Sequence, residues 1–255
     1  MSTDLRNKIA LVTGGNRNNG RAIALALAER GADVVITYRE RQHEADQTVR
    51  ELAAKGVRAQ AIQVDLTGTA QLDDFVENLK GVLAGWDRST FDILVNNAGI
   101  LRLKTFEAVT EEDLDAIYQV NYKSLFFLTQ RLMADLADGG RIINIGSGTA
   151  RIAFGPLVSY GPLKAALQSL TVYLASFLGK RGITVNAVAP GGLDNEFNAD
   201  LFERMPQARG YIASNTAVGR VGTSNDVGGI VAFLCTEEAS FISGAVIPVD
   251  GGYHL

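Results

Sequence analysis

Residues 9–31 read IALVTGGNRNNGRAIALALAERG, and the reading of the whole chain starts there. Ile9 to Thr13 is an apolar, partly β-branched run of strand length. Arg21 to Arg30 repeats its apolar residues with helical spacing and meets Gly31 at a natural C-cap position. Between them, Thr13-Gly14-Gly15-Asn16-Arg17-Asn18-Asn19-Gly20 is a glycine-bearing turn. A strand that feeds such a turn into the start of a helix lets backbone approach a pyrophosphate closely, with free N–H groups and the positive end of a helix dipole facing it. Tight turns need glycine for conformational reasons alone, so the pattern gains its weight from its place at the first strand–helix junction.

The same alternation continues outward. Further strands are expected at Val34 to Thr37, Ala59 to Val64, Ile93 to Asn96, Ile142 to Ile145, Thr184 to Val188 and Val246 to Val249. Several are continuous apolar runs, as parallel strands covered on both faces require. Segments of helical length lie between them, among them Leu114 to Leu136 and Leu157 to Leu178. The fold class is therefore α/β: a single-domain, Rossmann-type doubly wound parallel sheet of about seven strands with helices on both faces. No linker or repeat divides residues 1–255. Only residues 191–223 break the rhythm, and a stretch that long is expected to carry short helices and to act as a lid over a pocket.

Composition removes several classes of function. The chain has 255 residues, 47% hydrophobic and 20% charged, which is globular rather than disordered. A net charge of −4 offers no general attraction for nucleic acid or anionic membrane, and no apolar run is long enough for a bilayer span. One cysteine (Cys235) and two histidines (His43, His254), none in a motif, argue against a disulfide framework, a metal site and a Ser-His-Asp hydrolase. The start, MSTDLRNKIALVTGG, has no export-leader pattern. A cytoplasmic location is the resulting expectation.

Tyr160 and Lys164 stand four apart in SYGPLKAALQSLTVYLASFL, so a helix puts them on one face. Pro162 fits if that helix begins near Val158 to Tyr160, where no N–H is lost. A phenol is a poor acid or base at neutral pH until a nearby cation favours phenolate, and Lys164 supplies one. Ser147 lies thirteen residues before Tyr160, at the end of the fifth strand in GRIINIGSGTA. A hydroxyl there opens toward the ligand crevice of a parallel sheet.

These motifs, spread from Asn7 to Tyr253, resemble those of the short-chain dehydrogenase/reductase family, closest in look to its bacterial 3-oxoacyl-carrier-protein reductase-like branch. The family's TGxxxGxG loop is matched at Thr13, Gly14 and Gly20. Asn18 replaces the middle glycine, and asparagine is among the few residues that tolerate a left-handed backbone. The resemblance implies a catalytic set of Asn121, Ser147, Tyr160 and Lys164. In it Ser147 orients the substrate oxygen, Tyr160 transfers the proton, and Lys164 holds the ribose and lowers the tyrosine pKa. Asn121, in DAIYQVNYKSLFFLTQ, completes a proton relay through a helix distortion. Each has a structural alternative: Ser147 as a turn cap, Asn121 as an interfacial polar group, Tyr160 as amphipathic packing.

For the cofactor, the resemblance implies contacts from Gly14, Asn16, Arg17, Asn18, Asn19 and Gly20 in the turn. Tyr38 and Arg39 follow the second strand, where NAD-specific relatives carry a carboxylate; Tyr38 takes that position. Arg39, with Arg17, supplies cations suited to a 2′-phosphate. NADP(H) is thus the expected cofactor, with NAD(H) as the alternative because Glu40 is near enough to reach a ribose. Asp65 and Leu66 end the third strand, where the aspartate either contacts adenine or caps a helix. Asn97, Ala98 and Gly99 resemble the segment packed on the glycine turn, and Pro190, Gly191, Leu193 and Asn195 the nicotinamide-holding stretch. Asn195 takes the place of a threonine that binds the carboxamide. Substrate is expected at Ser147, Tyr160 and Gly192.

The expected function is an NADPH-dependent ketone reductase or alcohol dehydrogenase acting on a small molecule. A 3-oxoacyl-carrier-protein reductase and an NAD(P)-dependent sugar or polyol dehydrogenase are the alternative enzymes, and an NADPH-binding sensor is the non-enzymatic one. A carrier protein is acidic and calls for a basic docking face. Asp135 to Gly140 is acidic there, and Lys180-Arg181 keeps one basic spot. Finally, Leu114 to Leu136 and Leu157 to Leu178 carry more apolar residues than one buried face needs, including consecutive Leu125, Phe126, Phe127 and Leu128. A homo-oligomer, tetramer or dimer, is expected.

Overall fold

The first strand–helix junction forms as read. In the computed structural model, which describes residues 4–255 (residues 1–3 of the single-domain expectation lie outside the described residues), β1 spans Ile9–Val12 and the first helix, α1, Asn18–Glu29. The other strands are β2 Asp33–Tyr38, β3 Ala59–Gln63, β4 Phe91–Asn96, β5 Leu136–Ile145, β6 Thr184–Pro190 and β7 Val246–Val249. All pair in parallel in one sheet of order β3-β2-β1-β4-β5-β6-β7. The chain reverses its winding direction between β1 and β4, and the C-terminal ends of those strands open the crevice where such sheets bind ligands.

Alternation within the strands explains the two layers. Ala10, Val12, Val34, Ile36, Ile93 and Val95 face one core, which includes residues of α1, of α2 (Gln42–Ala53) and of the last helix over Ser224–Leu234. Ile9, Leu11, Val35 and Leu94 face the other, built with α3 (Leu72–Gly85) and the helices over Ser124–Leu132 and Gly161–Leu178. The remaining helices are α4 (Glu111–Tyr118), α7 (Ala199–Arg204) and α8 (Ala208–Ser214), so those at 124–132, 161–178 and 224–234 are α5, α6 and α9. Cys235 follows α9 in the first core, and burial pushes its thiol up to about 12.

Three boundaries depart from the sequence expectation. The helix expected over Leu114 to Leu136 is two helices, α4 and α5, separated by a π-helical turn at Gln119–Lys123, and it ends at Leu132. Leu136 belongs instead to β5, which begins six residues before Ile142. Phe91 pairs with Leu136, then a register shift passes over the glycines before Ile93 meets Arg141. The helix expected from Leu157 begins at Gly161, which keeps Pro162 in the first turn. Gly31 sits just past α1 at φ +91°, as a helix stop with left-handed backbone requires.

The excursion over 191–223 is closed at its base. Leu193 bridges Gly222, the Asp194 N–H donates to the Gly222 carbonyl (2.9 Å), and the Gly222 N–H donates to Gly192 (3.0 Å). Between them lie a 3-10 turn at Glu196–Asn198, α7 and α8. Leu193, Leu201 and Phe202 face inward, while Asp194, Glu203 and Arg204 face water.

Candidate active site

The glycine turn owes its shape to two positions. Gly14 has φ +62°, and a Cβ on Gly20 would lie 2.0 Å from the Gly14 carbonyl oxygen, so neither tolerates a side chain. Asn18 takes φ +49°, as asparagine can. Thr13 fastens the turn to the end of β4: its hydroxyl accepts from Asn97 N (2.9 Å) and Ala98 N (3.0 Å), while Asn97 Nδ2 donates to the Thr13 carbonyl (2.8 Å). α1 opens with no side chain capping its first N–H groups. Those donors, at Asn18, Asn19 and Gly20, border the cavity, an arrangement suited to an anion.

That cavity, about 320 Å³, runs along the C-terminal ends of the strands. Every cofactor position named from the sequence borders it: the turn from Gly14 and Asn16 to Gly20, Tyr38 and Arg39, Asp65 and Leu66, Asn97 to Gly99, and Pro190, Gly191, Leu193 and Asn195. Ser147, Tyr160, Lys164 and Gly192 border it as well. Some of these residues carry internal bonds too. Asp65 Oδ1 accepts from Thr67 N (2.8 Å), the capping alternative, while still facing the cavity. Asn195 Nδ2 is turned to Asn19 Oδ1 and to Ser224 Oγ, both at 3.2 Å.

At the other end, Tyr160, just before α6, and Lys164, in its first turn, line the cavity floor. Lys164 is buried, and Nζ donates to the Ile145 carbonyl (2.8 Å) at the end of β5. Burial lowers its pKa to about 8. Nζ also lies 5.5 Å from the centre of the Tyr160 ring. Tyr160 is buried against Ile117 and Leu157, and desolvation raises its phenol well above the ordinary value. Ser147 Oγ shares a hydrogen bond with Thr149 Oγ1 (2.8 Å) and accepts from Thr149 N (3.2 Å), so it caps a turn and borders the cavity at once.

Asn121 lies behind the wall rather than in it. At the π-helical turn, Asn121 Nδ2 donates to the Ile117 carbonyl (3.1 Å) and to the Ile100 carbonyl (3.0 Å). Its Oδ1 is fully buried with no partner, and a Cβ on Gly99 would lie 2.6 Å from it and 3.8 Å from Lys164 Nζ. An orphan acceptor beside a desolvated ammonium is a natural seat for a bridging water.

Among the cavity residues not assigned a role from the sequence are Thr37 and Arg41, and Glu40 takes an unforeseen part as the partner of Arg39. Thr37 Oγ1 accepts from Gly14 N (3.1 Å). Arg41 borders the cavity with Arg17 and Arg39, and each of the three is paired with a carboxylate: Arg39 with Glu40 (2.9 Å), Arg41 with Glu44 (2.9 Å), and Arg17 and Arg41 with Glu196 (3.2 and 2.6 Å). The pattern Arg39-Glu40-Arg41 was a signal for a third cation, but exposed charges carry no periodicity to decode.

A family profile described as "Enoyl-(Acyl carrier protein) reductase" matches residues 15–254. The chain belongs to the short-chain dehydrogenase/reductase family. Among its relatives in that family, it is 37% identical to the L-2,3-butanediol dehydrogenase of Corynebacterium glutamicum, over 96% of this chain and 98% of that one. It is similar to the structure of the promiscuous reductase LugOII, which catalyses keto-reduction at C1 during lugdunomycin biosynthesis (40% identity, TM-score 0.92, 98% of this chain and 99% of that one). It is also similar to a blue fluorescent protein from a metagenomic library in complex with NADPH (39% identity, TM-score 0.90, 99% and 100%). As a short-chain dehydrogenase/reductase, the chain is an NAD(P)-dependent oxidoreductase acting on alcohol and carbonyl groups. Among the described residues no group of three or more metal-ligating side chains gathers, and no helix is long and apolar enough to cross a membrane.

Proposed function

We propose that this enzyme reduces a small-molecule ketone with NADPH. The observation that carries the reading is the buried Lys164 ammonium, anchored on Ile145 and lying beside the Tyr160 ring in the cavity floor. A buried cation with one protein acceptor keeps donors for a ribose and for the field at a phenol. When bound, the nicotinamide supplies the hydride. Tyr160, protonated at neutral pH because it is buried, donates its proton to the carbonyl oxygen as charge develops there. Lys164 stabilises the phenolate left behind, and Asn121 positions the water that returns a proton toward Lys164. Ser147 holds the carbonyl oxygen, and Gly192 borders the same cavity.

The arginines at the adenine end support NADPH over NADH, as does the NADPH complex of the metagenomic relative. The keto-reducing relative supports a small carbonyl substrate, and the butanediol dehydrogenase keeps a vicinal diol as the second reading. An acyl-carrier partner is disfavoured by charge: Arg181 is held by Asp138 (2.7 Å) and by the carbonyls of Met133 and Leu136, so the Lys180-Arg181 spot is partly neutralised. Oxidation of NADPH and of NADH against a panel of ketones, diketones and a carrier-bound 3-oxoacyl group tests this. No turnover of any ketone with either cofactor rejects the enzyme reading in favour of an NADPH-binding sensor.

The same reading includes a cytoplasmic homo-tetramer or dimer. Of the four consecutive apolar residues, Leu125 and Leu128 are buried and Phe126 is exposed, its ring tilted against Tyr122, which stacks on Tyr118. On α6, Val172, Tyr173 and Phe177 are more than half exposed. Two neighbouring apolar faces fit closed symmetric association. Sedimentation is expected to show an oligomer at micromolar concentration that Tyr173→Glu/Phe177→Glu disperses; a wild-type monomer ends this part of the reading.

A further inference from the structure

Glu196 does something that binding a dinucleotide does not require. It stands in the 3-10 turn at Glu196–Asn198, on the strap between β6 and α7, and reaches 155 residues back along the chain to Arg41. Its Oε1 lies 2.6 Å from Arg41 Nη1 and 3.2 Å from Arg17 Nη1, and both arginines border the cavity beside Arg39. Pairing with Arg41, then Arg17, holds the Glu196 carboxyl below its ordinary pKa, so it is ionised at neutral pH. Glu44 also pairs with Arg41, but it belongs to α2, directly after that arginine. Glu196 alone brings a charge from the far side of the cleft.

The strap is fastened around this carboxylate. The Glu196 N–H donates to Asn18 Oδ1 (3.1 Å), and Asn195 Nδ2 to Asn19 Oδ1 (3.2 Å). Asn18, which stands where the family has a glycine, thus uses its side chain to hold the strap on the phosphate turn. The next residue, Phe197, packs against the cluster that contains Leu157 and Tyr160. One turn of chain therefore touches the arginines at one end of the cleft and the wall around the catalytic tyrosine at the other.

We propose that Glu196 is a built-in competitor for the 2′-phosphate of NADP(H), occupying Arg17 and Arg41 until that phosphate displaces it. The inference rests on the NADP(H) reading above and deepens it. Two anions cannot both be fully paired with the same two guanidiniums. A phosphate, with more charge and three terminal oxygens, outcompetes a single carboxylate for them. The pairs it must break are about half exposed (side-chain exposures of 44%, 47% and 47%), where ion pairs contribute little. Two effects follow. Discrimination between NADPH and NADH is smaller than three arginines alone would set. Phosphate binding also releases one fastening of the strap, so the substrate wall at Phe197 responds to NADPH and not to NADH.

The test is titration of NADPH and NADH by nicotinamide fluorescence into the wild type, Glu196→Gln, and Arg17→Ala/Arg41→Ala with and without Glu196→Gln. Glu196→Gln is expected to tighten NADPH roughly three- to tenfold and NADH less than about twofold. In the background lacking both arginines the same substitution is expected to change neither. An unchanged NADPH Kd in Glu196→Gln, equal tightening of both cofactors, or a gain that persists without the arginines overturns the proposal. Failure of the parent reading looks different. If the wild type does not prefer NADPH yet Glu196→Gln selectively tightens it, the NADP(H) preference falls and the competitor stands. If the wild type prefers NADPH and Glu196→Gln does nothing, only the competitor falls.

Discussion

The two ends of the cleft hold their charges in opposite ways. At the floor, Lys164 is buried, set by α6 and β5, and has one carbonyl as its protein partner. At the end of the cleft beside β2, Arg17, Arg39 and Arg41 stand on loops, each close to half exposed and each shared with a carboxylate. A desolvated charge interacts strongly with its few neighbours, whereas exposed charges are screened and exchange partners readily. On the proposed reading, the floor serves a fixed chemical task and the arginine end reversible selection. Substitutions should have large effects on rate at the first and modest effects on affinity at the second.

The strongest challenge to this contrast is Tyr160→Phe, which keeps the ring and removes the proton. Turnover is expected to fall by roughly 10² to 10⁴-fold with NADPH binding nearly unchanged. Wild-type-like turnover in a folded variant would remove Tyr160 as the donor. Lys164 sharpens the comparison through pH. Its pKa is lowered to about 8, so it is charged below that value and loses its proton as pH rises through it. Ketone reduction, measured as kcat/KM, is then expected to decline by about tenfold per pH unit on the alkaline side. Lys164→Met should be slow throughout and lack that limb; a limb that survives belongs to another group.

At the other end, Arg39→Asp is expected to weaken NADPH by roughly 10- to 100-fold and to shift preference toward NADH, further with Arg17→Ala added. An unchanged NADPH Kd would mean that the phosphate does not reach these side chains. The smallest effect expected is in the strap. Hydrogen exchange over Leu193 to Arg209 should slow when cofactor and ketone are both bound, mainly in α7 and α8, because Glu196 N–H already donates to Asn18. Equal protection with and without ligands leaves the strap a fixed surface excursion.

The same contrast governs how much was legible in the sequence. β1, the glycine turn and α1 announce themselves, because burial on both faces demands an apolar run and a tight turn demands Gly14 and Gly20. The spacing of Ser147, Tyr160 and Lys164 was legible because a helix face and a strand end are local geometry. The break around Asn121 was legible only through the family resemblance: apolar spacing runs on from α4 to α5, and one of the two carbonyls that take its amide, that of Ile100, is supplied by a distant loop. The early start of β5 was hidden by Asp138-Gly139-Gly140, turn chemistry absorbed into a strand by one register shift. Arg41 and Glu196 were invisible for the most general reason. Solvated charges follow no period, and their pairing depends on where the folded chain brings them.

Cys235 has a practical consequence. It is the only thiol in the chain, it lies in the core behind α9, and its raised pKa leaves almost no thiolate at neutral pH. A thiol-specific reagent therefore reacts when the layer of α1 and α9 opens, and hardly at all before. The labelling rate becomes a one-site clock for how often this half of the sheet is uncovered, readable in the unmodified protein and comparable with cofactor present or absent.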